Sequence, residues 1–278
     1  MNSAGEARGV RCGGSHGGAS QLAPVVLARC SDPAGRCAGR RGPGGIHRTG
    51  PRTDGRDGTR NRQGRTAVED GSRRVAELDT GFFVRWLTET ASAVDREADR
   101  LTELDSAIGD ADHGSNLRRG FTAVTAALTD KPPPSPGAAL GLAGRTLVSK
   151  VGGASGPLYG TLLRRTGREL GDAATVSREE LARAMSTGVE AVAALGGAAE
   201  GDKTMLDALL PAVRALPESF TAARRAAAEG AVGTVPMRAR RGRASYLGER
   251  SIGHEDPGAA SSLLLVAALE RSWEAADE

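Results

Sequence analysis

Every aromatic residue of this 278-residue chain lies beyond residue 80, which divides the sequence into a part that can build a core and a part that cannot. Residues 1–75 hold 14 arginines, no lysine and 6 acidic residues, a net charge of +8, together with 16 of the 39 glycines. A Gly/Arg-rich stretch with few branched apolar residues cannot bury enough surface to offset its ordering entropy, so residues 1–75 are expected to be disordered. The remaining 203 residues carry 23 basic and 28 acidic side chains, so the pI near 9.0 belongs to the first segment alone.

Other readings of that segment are weaker. A nucleic-acid-binding arm would interleave aromatics among its arginines for base stacking, and none are there. Cys12, Cys30 and Cys37 form no CxxC pair of the kind that holds a metal. The apolar run from Leu22 to Ala28 is short and far from a charged start, unlike a targeting peptide. A start assigned too far upstream fits best, leaving residues 76–278 as the functional domain. No window approaches the roughly 20 apolar residues of a membrane span. The expectation is a soluble cytoplasmic protein with no membrane or nucleic-acid partner.

From Asp79 onward apolar residues recur at helical spacing. Thr80 can cap a helix that carries Phe83, Trp86, Leu87 and Ala91 and runs to about Leu104. A second helix begins near Asp112, aligns Leu117, Phe121, Val124 and Leu128, and stops before Pro132-Pro133-Pro134. A third covers roughly 137–149 and a fourth follows Pro157. Ser177 and Glu180 have capping-box spacing and open a fifth helix to about Leu195. A sixth runs from about Lys203 to Leu216 and a seventh from Ser219 to about Met237. Asp256-Pro257 supplies a cap and a first-turn proline for the eighth, which ends near Trp273. No alternating pattern suggests a strand. The fold class is therefore all-α, a bundle with an Ala/Leu/Val core.

The connecting loops are chemically richer than bundle turns require. Asp105, Asp110 and Asp112 fall within eight residues around Gly109. Hard oxygen ligands on a short loop suit Mg²⁺, which is held by a few carboxylates plus phosphates and water. Helix capping would explain Asp112 alone and gives no role to His113 or Asn116. Val151-Gly152-Gly153-Ala154-Ser155-Gly156-Pro157 is a glycine-rich lead into a helix, which can offer backbone amides to an anion or simply connect two helices. A third loop, from Arg243 to Gly258, is dense in Arg, Gly and polar groups. Gly201-Asp202-Lys203-Thr204-Met205 has the glycine spacing of a P-loop with Gly196. However, Asp202 stands where the lysine belongs and no strand precedes it, so it is not one.

These four motifs, in order and over about residues 78–275, resemble the signatures of the DhaL subunit family of dihydroxyacetone kinase. The segments that match are Leu101–Gly114, Val151–Gly160, Gly201–Met205 and Gly242–Gly258. The resemblance implies an antiparallel eight-helix barrel whose loops at one end hold two Mg²⁺ ions and ADP or ATP. It implies Asp105, Asp110 and Asp112 as magnesium ligands. His113, Gly114, Ser115, Asn116, Ala154, Ser155, Gly196, Met205, Arg243, Asp256, Pro257 and Gly258 would contact the nucleotide. No nucleophile from the chain itself is implied, because Mg-ADP carries the phosphate.

The activity implied is that of a kinase subunit of the phosphoenolpyruvate-glycerone phosphotransferase type. It would work with a DhaK-like subunit that holds dihydroxyacetone and a DhaM-like phosphohistidine carrier, and a homodimer is expected. Alternatives are the nucleotide-binding subunit of an ATP-dependent kinase for another ketose, a triose or a fatty acid, or a nucleotide-sensing regulatory adaptor.

Overall fold

The computed structural model describes residues 77–275, so the expectations for residues 1–75, including the three cysteines, lie outside the described residues. Eight α-helices account for most of these residues: α1 Thr80–Ile108, α2 His113–Asp130, α3 Pro136–Lys150, α4 Ser155–Leu170, α5 Arg178–Gly196, α6 Leu206–Ala215, α7 Phe220–Gly233 and α8 Pro257–Glu274. Each helix packs on its sequence neighbours, and α8 closes on α1. Connections of four to nine residues join α1 through α7 and make these neighbours antiparallel. A longer segment, residues 234–256, leads from α7 into α8, and the eight helices form a closed ring around one core. Among the described residues no helix is long and apolar enough to cross a membrane.

Local sequence sets most boundaries. The expected capping box is present, with Ser177 and Glu180 each satisfying the other's backbone N–H. Ser135 and Ser219 cap α3 and α7, and Asp256 caps α8 with Pro257 in its first turn. At α1 the cap is Asp79 rather than Thr80: its Oδ1 accepts the Phe82 N–H at 2.7 Å. Asp79 has the extended backbone a cap needs, whereas Thr80 is already helical, and Asp79 also belongs to a strand that the sequence did not announce. Leu78–Asp79 (β1) pairs antiparallel with Thr175–Val176 (β2), and two residues are too few for alternation to register. Helix α1 runs to Ile108, α4 already begins at Ser155, α6 starts only at Leu206, and α7 ends at Gly233.

The core is largely Leu, Val and Ala, as the scarcity of aromatics requires. In α1, Phe83, Trp86, Leu87, Val94, Ala98 and Leu101 are buried at steps of three and four. Trp86 donates its indole N–H to the Leu265 carbonyl at 2.8 Å, tying α1 to α8. Phe82 stacks on Phe220 and Phe220 lies against Trp273, each pair with centroids 5.7 Å apart. This aromatic group marks one end of the ring. Asp105 is 23 residues from Phe82 on the same helix, about 35 Å away at 1.5 Å per residue.

Candidate metal and nucleotide site

The last turn of α1 and the first turn of α2 build a carboxylate cluster. Asp105 is buried, and its Oδ2 accepts the backbone N–H groups of Asp112 at 2.9 Å and His113 at 3.3 Å. Gly109 allows this packing, since a Cβ there would lie 2.0 Å from Asp105 Oδ1. Ala111 has φ +60°, a conformation that costs a non-glycine residue free energy. One ligand oxygen from each of Asp105, Asp110 and Asp112 falls within 4.8 Å of the others, a donor set of hard oxygens that fits a divalent cation. Capping does not explain Asp112, because its side chain makes no cap hydrogen bond. Asp105 organises the α2 N-terminus instead, so the Asp112 carboxylate remains available to a ligand.

These carboxylates border a cavity of about 430 Å³, within the usual range for small-molecule sites. Its other walls come from the start of α4 (Ala154, Ser155), the end of α5 (Val192, Leu195, Gly196), and Met205 and Leu206 at α6. They are completed by Arg243 and Ala244, and by Asp256, Pro257 and Gly258. The lining thus combines polar groups with the apolar side chains of Val192, Leu195, Leu158 and Met205. Ala154 leaves α4 without a side-chain cap, so the first amides of that helix are open to an anion. Arg243 reaches the carboxylate side and pairs with Asp110 Oδ2 at 3.0 Å.

A chain of buried hydroxyls underlies the cavity. His113 contacts Ser261 Oγ through Nε2 at 2.8 Å and Ser155 Oγ through Nδ1 at 3.2 Å. Tyr159 OH lies 2.7 Å from Ser261 Oγ and 3.0 Å from Ser262 Oγ. Burial lowers the His113 pKa against the pull of Asp105 and Asp112, which favours the neutral ring. Burial also raises the Tyr159 hydroxyl to about 12, keeping it protonated as a donor. Asp256 accepts the Ala259 N–H at 2.7 Å and is pushed up to about 7 by burial, with nearby Asp207 adding to the effect. The Ala259 N–H and the Lys203 ammonium oppose that rise.

Of the residues singled out from the sequence, the cavity gathers Asp105, Asp110, Asp112, His113, Ala154, Ser155, Gly196, Met205, Arg243, Asp256, Pro257 and Gly258. Gly114, Ser115 and Asn116 sit on the first turn of α2 but not in its lining. Gly114 lets α2 approach α1, since a Cβ there would lie 1.9 Å from the Ala98 carbonyl oxygen. Ser115 donates to the Asp112 carbonyl, and Asn116 accepts from Arg119 at 2.6 Å. The lining also includes Lys203, Thr204, Tyr159 and Arg241, which had been given no role. The Gly201–Met205 motif was the signal for the first two.

The DAK2 domain family matches residues 107–271. The ADP-binding subunit DhaL of the PEP-dependent dihydroxyacetone kinase of Escherichia coli (strain K12) is 42% identical over 194 residues, 66% of this chain and 92% of that protein. The corresponding subunit of kinase 1 of Listeria innocua is 43% identical over 193 residues, 69% of this chain and 96% of that protein. The L-erythrulose 1-kinase of Mycolicibacterium smegmatis is 36% identical over 73% of this chain, which spans just 37% of that enzyme. Among solved structures, the dihydroxyacetone kinase of C. freundii in complex with AMP-PNP and Mg²⁺ superposes with a TM-score of 0.55 at 26% identity. That match covers 77% of this chain and 38% of the kinase, so the chain spans little more than a third of it. The DAK2-domain match over more than half of the chain, with 42–43% identity over nearly the whole length of these subunits, puts the chain in the DAK2-domain family with the DhaL subunits.

Proposed function

We propose that this chain is the ADP-binding subunit of a cytoplasmic dihydroxyacetone kinase. It would take phosphate from a phosphohistidine carrier and deliver it to dihydroxyacetone held on a separate DhaK-like subunit. The observation that carries the reading is the Asp105–Asp110–Asp112 cluster at the edge of a nucleotide-sized cavity. The near full-length likeness to relatives named ADP-binding subunits supports it.

Asp105, Asp110 and Asp112 would hold the cation, and Asp105 is already fixed by two backbone N–H groups. Held by these carboxylates, Mg²⁺ would supply positive charge against the negative charge that develops on the phosphates during phosphoryl transfer. The first amides of α4, with Ser155, would orient a phosphate. Val192, Leu195 and Met205 offer an apolar wall for the base. Arg243, already beside Asp110, stands where it can add positive charge at the carboxylate side. The residues of this chain therefore supply position and field, and no covalent step is asked of them.

Calorimetry of ADP binding with and without Mg²⁺ tests the site. Asp110→Ala is expected to abolish Mg²⁺-dependent ADP binding while leaving the helical circular dichroism signal intact. Transfer to dihydroxyacetone is expected only after a DhaK-like subunit is added. Turnover by this chain alone would overturn the partnership.

A further inference from the structure

Of the 37 cationic side chains in this sequence only three are lysines, and one of them, Lys203, is buried to 1% exposure while Lys131 and Lys150 are exposed. Its ammonium donates to three backbone carbonyls: Thr234 at 2.8 Å, Met237 at 3.2 Å, and His254. An ammonium has three donors on a tetrahedral nitrogen, so its hydrogen-bonding capacity is filled. The planar guanidinium used almost everywhere else in the chain cannot address three converging carbonyls in this way. Lys203 also holds φ +63°, a cost that persists only where the surroundings over-determine the conformation.

The three acceptors are not scattered. Thr234 ends α7 and His254 lies two residues before the cap of α8. The chain between them is one closed loop. Its neck is pinned by Gly253 N–H to Val235 O at 2.8 Å and Asp256 N–H to Thr234 Oγ1 at 2.9 Å. Within it, Ala239 N–H donates to Ser251 Oγ, while Arg240 N–H ties the loop to Asp202 O, next to Lys203. Ala239 and Ala244 of this loop pack on Ile108, three residues from Asp105. The loop carries Arg243 over Asp110 and leads directly into Asp256-Pro257-Gly258.

We infer that Lys203 is a positioning residue, a clasp that closes the neck of the 234–256 loop and so sets both Arg243 and the start of α8 against the nucleotide cavity. This rests on the nucleotide reading for its functional half only; the clasp itself is a property of the chain. The main hydrophobic core contains no residue of the 234–256 loop, whose Ala239 and Ala244 pack with Ile108 in a separate small cluster.

The test uses the full chain and Mg-ADP as the probe. In K203M, Mg-ADP affinity is expected to fall on the order of tenfold or more, the scale of losing hydrogen bonds to a charged donor. In the nucleotide-free protein, the amides of Ala239, Arg240, Gly253 and Asp256 should exchange with deuterium faster than in wild type. In K203A, added propylammonium should restore both readouts, which sodium at equal ionic strength should not. Unchanged affinity and exchange would overturn the inference. So would weaker binding with unchanged exchange, because the lysine would then act on the ligand directly. Faster exchange in a protein whose wild type does not bind Mg-ADP would uphold the clasp and refute the nucleotide reading instead. If the variants do not fold, wild type decides through competitive lysine acylation. Slow reaction of Lys203 upholds the clasp, and reaction as fast as at Lys131 and Lys150 overturns it.

Discussion

Asp256→Asn should make the protein's stability less sensitive to pH in a calculable way. The unfolded chain ionises Asp256 at its ordinary 3.8, whereas the folded protein does so at about 7. Between those values the native state keeps a proton that the unfolded state has released. Stability therefore falls as pH rises through that window, and the contribution is fully lost above about pH 7. At roughly 1.4 kcal/mol per pH unit, the whole span amounts to about 4 kcal/mol, of which about 2.5 kcal/mol lies between about pH 5 and pH 8.

Asparagine resembles the protonated carboxyl in shape and charge and is an equally good N-cap, so the bond to Ala259 can survive. Urea unfolding of both proteins across this range is the assay. Other carboxylates titrate alike in the two and cancel in the difference. The stability of the variant minus that of wild type should grow by about 2.5 kcal/mol from about pH 5 to about pH 8. A difference that stays flat would show that Asp256 ionises normally, and the burial argument would fail.

Two further outcomes follow from the geometry. Asp105→Asn and Asp110→Asn should both weaken Mg²⁺ binding, but they should separate in stability. Asp105 is a buried acceptor of two N–H groups, so its loss should cost about 1.5–3 kcal/mol in chemical denaturation. Asp110 gives up just a half-exposed ion pair with Arg243, worth about 1 kcal/mol or less. Gly230→Ala should lower the melting temperature sharply, because its Cβ would lie 2.0 Å from the Asp207 carbonyl. Pro211, four residues on, has no N–H to offer that carbonyl, and α7 packs close there. Overpacking of this kind costs about 2–3 kcal/mol, and unchanged melting would refute the contact.

Much of the fold could be read in the sequence because its signals are local. The Ser177/Glu180 box, the Ser219 cap, Asp256-Pro257 and the triple proline after α2 each act within a few residues. All eight helices exist as expected, but the ends of α1, α4, α6 and α7, where no such signal stands, shift by two to four residues. The pairing of Leu78–Asp79 with Thr175–Val176 joins segments nearly a hundred residues apart, and nothing nearby announces it. Within the candidate site the three aspartates were conspicuous as a group, but their division of labour was not. That Asp105 holds the α2 N-terminus while Asp112 stays free depends on how α1 ends, which spacing alone does not reveal. Lys203 was hidden for a related reason. A lysine reads as surface unless its acceptors are known, and those acceptors are backbone carbonyls, which no side-chain pattern encodes. The cavity lining omits Gly114, Ser115 and Asn116 because α2 turns them toward α1, the Asp112 carbonyl and Arg119.

The aromatic contact at the far end of the ring has a topological consequence. Phe220 touches both Phe82, near the start of α1, and Trp273, near the end of α8. The beginning and end of the helical ring are therefore neighbours in space. A short linker could join them, and the chain could be reopened at Pro132-Pro133-Pro134 without cutting a helix or a wall of the cavity. Such a circular permutant should keep the same helix-to-helix order around the ring, because closure depends on which faces meet and not on where the chain begins.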